Sequence, residues 1–418
     1  MSGIALLVSG LGASVSGSDL EETLSVKMLS NQGVDVVVGP HSAGNVPNDV
    51  DVVVFSSAVK PDNPERIRAD QLNVRVVRRG EFLAELAKEF DFSIAVSGSH
   101  GKTTTTAMMA HILKESGKNP AFMVGGKVIG WQNSAGIGDA KILVTEIDES
   151  DGTQAFFHAN CAVILNIEDD HAWSAGGREK LFDSFRKVAN QSQKTFAWGG
   201  EFPNQILQSV EQVEFLNEDK IPEELSVPQV GAHNRYNAYA ALKAVGQVGI
   251  SEKQAIEALK SFPGVDRRMT TLFENENTNF TLLEDYAHHP TELRSLLNAL
   301  HESWPNRSIN LIFQPHRFER VKRYGSEFAV ELSAADSVVV VSPFAAWCND
   351  SDLANPKQIA DEIVDTKKIY IDVKNDDFTE VVNHVKTNFP KENSVIAIVG
   401  AGTITRIGPN LTDYYEID

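Results

Sequence analysis

Runs of apolar, mostly β-branched residues alternate with helical stretches along the whole chain: VDVVVG, DVVVFSS, FSIAVSG, KILVTEI, CAVILNI, INLIFQP, DSVVVVS and SVIAIVG. Many are nearly continuous in apolar content, as strands buried on both faces are. Segments such as TELRSLLNALHES and PKQIADEIVD carry helical spacing between them. This alternation restricts the chain to α/β domains with largely parallel sheets. At roughly 100–200 residues per domain, the 418 residues make two to four domains. Three blocks separate: residues 1–91, ending in the helical stretch GEFLAELAKEF; 92–264, ending after SEKQAIEALKSF; and 265–418, entered through PGVDRRM as a hinge.

Composition narrows the setting. The 42% hydrophobic content is enough for several cores, and no apolar run approaches the ~18 residues of a membrane span. The opening MSGIALLVSGLG lacks the basic start of a signal peptide. The two cysteines, Cys161 and Cys348, have no zinc-site spacing, and Cys161 opens the apolar run CAVILNI as a core residue would. A reducing cytoplasm fits. The net charge of −19 disfavours nucleic acid as a partner. It leaves room for anionic small molecules held by local amides and a few cations.

The run FSIAVSG enters a short glycine turn, Gly98-Ser99-His100-Gly101-Lys102-Thr103, followed by the helical stretch TTTAMMAHILKESG. Strand, glycine turn, Lys-Thr and helix N-terminus together form a phosphate cradle. Backbone N–H groups and the helix dipole receive the phosphates, Lys102 neutralises charge, and the Thr103 hydroxyl suits Mg²⁺. The plain alternative is an ordinary strand–helix turn with an incidental lysine. Four consecutive threonines at that position weigh against it.

GSHGKTTTT resembles the GTHGKTTTT loop of the UDP-N-acetylmuramate–L-alanine ligases of the Mur ligase superfamily. Further motifs follow in that family's order: VSGSDL, SSAVKPDNPE, RRGEFLAEL, EIDESDGT, NIEDDH, GAHNRYNA, GVDRR, DYAHHPTE, FQPHRFER and GAGTI. The resemblance spans essentially the whole chain. It implies an N-terminal Rossmann-like, UDP-sugar-binding domain, a central P-loop ATPase domain and a C-terminal Rossmann-like, amino-acid-binding domain. The implied reaction is ATP-dependent amide-bond formation between L-alanine and UDP-N-acetylmuramate through an acyl phosphate. ATP with Mg²⁺ or Mn²⁺ serves it, without nucleic acid or membrane, in a cytoplasmic monomer or homodimer.

The resemblance also implies residue roles. Gly98, Ser99, His100, Gly101, Lys102, Thr103 and Thr104 hold ATP, with His233 and Asn234 at its adenine and Arg267 and Asp285 at its phosphate or ribose. Thr103, Glu146 and His171 are the implied metal ligands. Glu146 ends one strand run and His171 follows another, where parallel sheets gather ligand groups. Asp19, Ser56 and Ser57 face the sugar nucleotide. His316, Arg317 and Arg320 surround the incoming amino acid and acyl phosphate. Lys102, His171, His288 and Arg317 carry the chemistry. The plain alternatives are an N-cap for Asn234, surface ion pairs for Arg317 and Arg320, and solvation for Asp148, Glu149 and Asp151.

Three departures from the pattern are visible. Family members open with a strand and a GIGGxGM-like loop, whereas here MSGIALL resembles the helix that follows it. The first block is therefore expected to lack a central strand, to be the least stable and to hold the sugar nucleotide weakly. PFAAWCND replaces a VYPAGE-like segment, and Trp173 follows the His171 region. Other Mur ligases carry a carbamylated lysine near the position of Phe185, which the alanine-adding branch also lacks; Lys187, two residues on, should point elsewhere, so no carbamate is expected. The rivals are the related ligase that attaches a recycled tripeptide to the same sugar nucleotide, and an ATP-binding regulator without catalysis.

Overall fold

The computed structural model describes residues 1–170, 172, 175–346 and 354–417. The chain divides into two compact units. One comprises residues 1–228 with 234–264, the other residues 229–233 with 265–418. The first two sequence blocks thus share a unit, and the hinge segment PGVDRRM straddles the division.

The first unit is built on a parallel sheet that centres on the strand feeding the glycine turn. Its strands are β5 (Phe92–Ser97), β6 (Ala121–Met123), β7 (Ala135–Gly136), β8 (Ile142–Glu146), β9 (Cys161–Ile164), β10 (Lys194–Trp198) and β11 (Val213–Leu216). They lie in the order β11-β10-β9-β5-β8-β6-β7, and only β7 runs antiparallel. Ile94, Ala95 and Val96 of β5 are fully buried, which is why the sequence shows a continuous apolar run there. Cys161 is a core residue whose thiol burial pushes up to about 12. On the helix Arg178–Gln191, Phe185 is fully buried, while Lys187 points to the exposed face and pairs with Asp183 at 3.0 Å.

Residues 1–91 do not form one sheet. The strands β1 (Ser16–Asp19) and β2 (Asp35–Val38) make one parallel pair, and β3 (Val52–Phe55) and β4 (Arg75–Arg78) another. The chain opens with the helix Ser2–Gly10, as MSGIALL suggests, and this helix ties the block to the central sheet. Ile4, Leu6 and Leu7 join the same apolar core as Met123 and Ala135. Gly3 and Gly10 lie so close to that sheet that a Cβ would come within 2.8 Å of Met123 and 2.6 Å of Ile137. That shared core makes the first two blocks one unit.

The second unit holds β12 (Thr270–Asn275), β13 (Phe280–Asp285), β14 (Ser308–Phe313), β15 (Ser337–Val341), β16 (Lys367–Ile371) and β17 (Ser394–Val399), in the order β12-β13-β17-β14-β15-β16. All but β12 are parallel. Alternate residues feed two apolar layers: Leu311 and Phe313 pack with Leu297 and Phe328 on one face, Ile312 with Val381 and Ile404 on the other. The strand ends that gather ligand groups in such sheets are the carboxyl ends of β13 and β14, which lead into Tyr286–His289 and Gln314–Arg317.

A two-stranded pair is marginal without support, so local opening should begin there. In native-state hydrogen exchange, the amides of β1–β4 should lose protection well before those of β5, β9 and β17. Equal protection in all would show that the paired strands are no weaker than the full sheets.

Candidate active site

The glycine turn is shaped by two positions that exclude side chains. Gly98 has φ +137° and Gly101 φ +84°. A Cβ on Gly98 would meet Leu165 and Asn166 at 3.1–3.2 Å, and one on Gly101 would meet Asn237 Oδ1 at 2.7 Å. Asn166 braces the turn from β9's side: its Oδ1 accepts from His100 N at 2.8 Å, and its Nδ2 donates to the His100 carbonyl at 3.1 Å. Ser99 Oγ accepts from Glu168 N at 2.9 Å, and the His100 ring lies 3.3 Å from the Glu168 carboxylate. The helix Lys102–Glu115 starts directly after Gly101 with no side-chain cap. Its first-turn amides have no intrahelical partner and suit an anion.

Three acidic residues surround the loop lysine. Lys102 Nζ donates to Glu149 Oε2 at 2.7 Å and to the carbonyls of Gly98 and Ser99. Glu149 is only 1% exposed, which sets aside the plain alternative that it is merely solvated. Burial pushes its carboxyl up to about 7, with Lys102 pulling the other way. For Lys102, burial opposes the ammonium, but Glu149, Asp148 and Glu146 outweigh it and the net shift is upward. Thr103 Oγ1 donates to Glu146 Oε2 at 2.9 Å. Burial raises the Glu146 carboxyl, against its hydrogen bond from Thr103 and the charge of Lys102.

Thr103 and Glu146 therefore stand together, and space is kept for them. A Cβ on Gly125 would lie 1.7 Å from Glu146 Oε1. A hydroxyl and a carboxylate beside a phosphate loop form an oxygen donor set that fits Mg²⁺. The third expected ligand, His171, lies outside the described residues, as do Trp173 and the 347–350 end of PFAAWCND with Cys348.

In the second unit a cluster of rings and guanidinium groups gathers after β13 and β14. The His288 and His316 rings meet edge to face at 5.6 Å, and His316 stacks on Phe344 at 5.7 Å. Arg320 Nη1 lies 3.0 Å from His316 Nδ1. Arginine only donates, so Nδ1 accepts and the neutral ring carries its proton on Nε2. His288 donates its backbone N–H to Glu292 Oε2 at 2.9 Å, and its Nδ1 lies 3.0 Å from the Tyr286 carbonyl, its hydrogen-bond partner, and 3.0 Å from Glu292 Oε2. Arg320 is buried, which rules out a surface ion pair for it. Arg317 sits at φ +72° at the N-cap of the helix Phe318–Leu332 and donates its backbone N–H to Phe344 O at 2.8 Å. His289, beside His288, caps the helix Pro290–Ser303.

The remaining expected residues divide. Arg267 donates to the Gly400 and Gly402 carbonyls at 2.7 and 3.3 Å. Asp285 accepts from Met269 N and Ala287 N, each at 2.8 Å, and burial raises its carboxyl. Arg267 thus fastens the 400–402 segment after β17, and Asp285 ties its own turn to Met269. Burial, then the charge of Arg268, lowers the His233 imidazole to about 4, so it is neutral at pH 7. Asn234 is not an N-cap, because the helix Ala232–Val245 begins two residues before it. Among the sugar-nucleotide candidates, Asp19 ends β1 and accepts from Glu21 N at 3.2 Å, while Ser56 and Ser57 follow β3. Sequence reasoning missed Glu65, whose carboxylate gathers Ser18 and Asn45 at 2.7 Å and His41 at 3.2 Å. It also missed Asn166, Asn237 and Gly125. The repeated Asn of GAHNRYNA was the one available signal for Asn237.

Residues 1–91 match the Mur ligase family, catalytic domain; residues 96–198 the Mur ligase middle domain; and residues 267–402 the Mur ligase, glutamate ligase domain. The chain belongs to the Mur ligase family. It is 33% identical to the UDP-N-acetylmuramate–L-alanine ligase of Sulfurihydrogenibium sp. (strain YO3AOP1), over 99% of this chain and 95% of the relative. It is 34% identical to the enzyme of the same name from Persephonella marina, over 100% and 95%. The crystal structure of UDP-N-acetylmuramate–alanine ligase MurC from Thermotoga maritima superposes with a TM-score of 0.82 at 29% identity, covering 100% of this chain and 96% of that one.

The Gly125 contact gives a direct test of the oxygen donor set. Gly125→Ala should displace the Glu146 carboxylate and cut Mg²⁺-dependent ATP turnover at least tenfold, with the melting temperature little changed. Unaltered turnover would show that Glu146 is not needed where it stands.

Proposed function

We propose that this protein is an ATP-dependent ligase that joins L-alanine to UDP-N-acetylmuramate in peptidoglycan precursor synthesis. The observation that carries this is the phosphate loop with its Thr103–Glu146 oxygen pair, in a chain alike over its full length to ligases of that name. The lactyl carboxylate of the sugar nucleotide attacks the γ-phosphorus of ATP, and ADP leaves. The amine of alanine then attacks the acyl carbon, a proton is lost and inorganic phosphate departs. A phosphoryl transfer of this kind depends on positioning and charge neutralisation.

Each residue set has a part in this reading. The amides of the Gly98–Thr103 turn cradle the phosphates, and Lys102 neutralises the charge that shifts to the leaving oxygen. Thr103 and Glu146, with His171 as the third ligand that the family pattern implies, would hold Mg²⁺, which would supply Lewis-acid stabilisation of the phosphoryl oxygens. His233 and Asn234 meet the adenine; a neutral imidazole suits an uncharged base. Arg267 and Asp285 orient the phosphate or ribose end. Arg317 and Arg320 present planar guanidinium forks to a carboxylate or acyl phosphate, with His288 and His316 beside them. Asp19, Ser56 and Ser57 contact the sugar nucleotide. No described helix is long and apolar enough to cross a membrane, and dependence on ATP supports a cytoplasmic reaction.

Phosphate release with ATP and UDP-N-acetylmuramate should require L-alanine. A tripeptide should not replace it. Lys102→Ala should abolish this release while the circular dichroism spectrum stays that of the parent. Release driven by the tripeptide, or release independent of any amine, would contradict the assignment.

A further inference from the structure

Arg79 directly follows β4 and opens the helix Arg79–Leu86, yet its side chain works on another part of the unit. Nε and Nη2 both donate to Asp151 Oδ2, at 3.1 and 2.5 Å, and Asp148 Oδ2 lies 3.9 Å from Nη2. The inner edges of both aspartates are spent on their own turn. Asp148 Oδ1 accepts from Ser150 N at 2.8 Å, and Asp151 Oδ1 from Thr153 N at 3.0 Å and from the Thr153 hydroxyl. One carboxylate edge thus shapes the 148–153 turn and the other fastens it to Arg79. Between the two aspartates, next to Ser150, stands Glu149, the buried partner of Lys102.

The fit leaves no slack. A Cβ on Gly80 would lie 2.1 Å from Thr153 Oγ1 and 2.9 Å from its Cα, so the helix and the turn touch at the backbone. The Arg79 and Asp151 side chains are 23% and 10% exposed, unlike a solvated surface pair. A lysine on a flexible four-carbon stem needs a fixed counter-ion to keep one direction. Glu149 serves Lys102 in that way only while its turn is fixed.

We propose that Arg79 is a positioning residue for the phosphate-loop lysine: it clamps the 148–153 turn so that Glu149 meets Lys102, which couples the first block of the chain to the ATP site. The inference rests on reading the glycine turn as that site.

The test is a double-mutant cycle on the intact protein, read by calorimetric titration with a non-hydrolysable Mg²⁺–ATP analogue and no sugar nucleotide. Arg79→Gln should weaken binding about fivefold, Arg79→Lys should recover part of the loss, and Glu149→Gln should weaken it at least as much as Arg79→Gln. Arg79→Gln added to Glu149→Gln should bring no further loss, because Arg79 acts only through Glu149. Losses that multiply, or an unchanged or tighter dissociation constant in either single variant, would overturn the proposal. Should Arg79→Gln fail to fold, Asp151→Asn breaks the same clamp from the other side and must behave alike. A parent protein that binds no analogue would instead refute the reading of the glycine turn.

Discussion

The pairing of Lys102 with the buried Glu149 is the interaction on which the site depends. Removing one partner of a buried ion pair costs about 3–5 kcal/mol, because the other is left charged without compensation. Here the pair also sets the local charge. Glu146, Asp148 and Glu149 surround the one ammonium of the loop, in a chain whose net charge is already −19. On the proposed reading, a divalent cation held by Thr103 and Glu146 would reverse the sign of the field that the phosphates meet, and metal and nucleotide binding would follow from the same charge balance.

The scaffold makes that balance possible through close backbone approaches. Gly98 and Gly101 let the turn pass Leu165 and Asn237, Gly125 leaves room for the Glu146 carboxylate, and Gly80 brings the first block against Thr153. The first block has only paired strands, and its helix Ser2–Gly10 gains its burial from the core of the central sheet. In the second unit, the positive φ of Arg317 and Arg267 shows the backbone bent where the guanidinium groups are set. Such bends occur where a scaffold over-determines a local shape, as sites require.

Strands buried on both faces were plain in the sequence because burial leaves an uninterrupted apolar run, as in FSIAVSG and SVIAIVG. The phosphate loop was legible because glycine, lysine and threonine each have a separate physical reason to stand there. The helical nature of MSGIALL could likewise be read. Burial of a single charge could not. The DESD stretch has the look of a solvated acidic run, and only the tertiary fold puts Glu149 against Lys102. Arg79 lies 72 residues from Asp151, a distance no spacing rule spans. Asn234 was open to reading as an N-cap because a loop precedes it, but the helix starts earlier, at Ala232. Gly125 gave no sign, since a glycine that yields space to a distant carboxylate looks like any other.

The central claim is that this site phosphorylates a carboxylate before the amide forms. The direct measurement is oxygen tracing: UDP-N-acetylmuramate labelled with heavy oxygen in both positions of its lactyl carboxylate is turned over with ATP and L-alanine, and the released phosphate is weighed by mass spectrometry. Passage through an acyl phosphate predicts one heavy oxygen in each phosphate, with the other kept in the amide carbonyl. Unlabelled phosphate released alongside amide product would contradict the account.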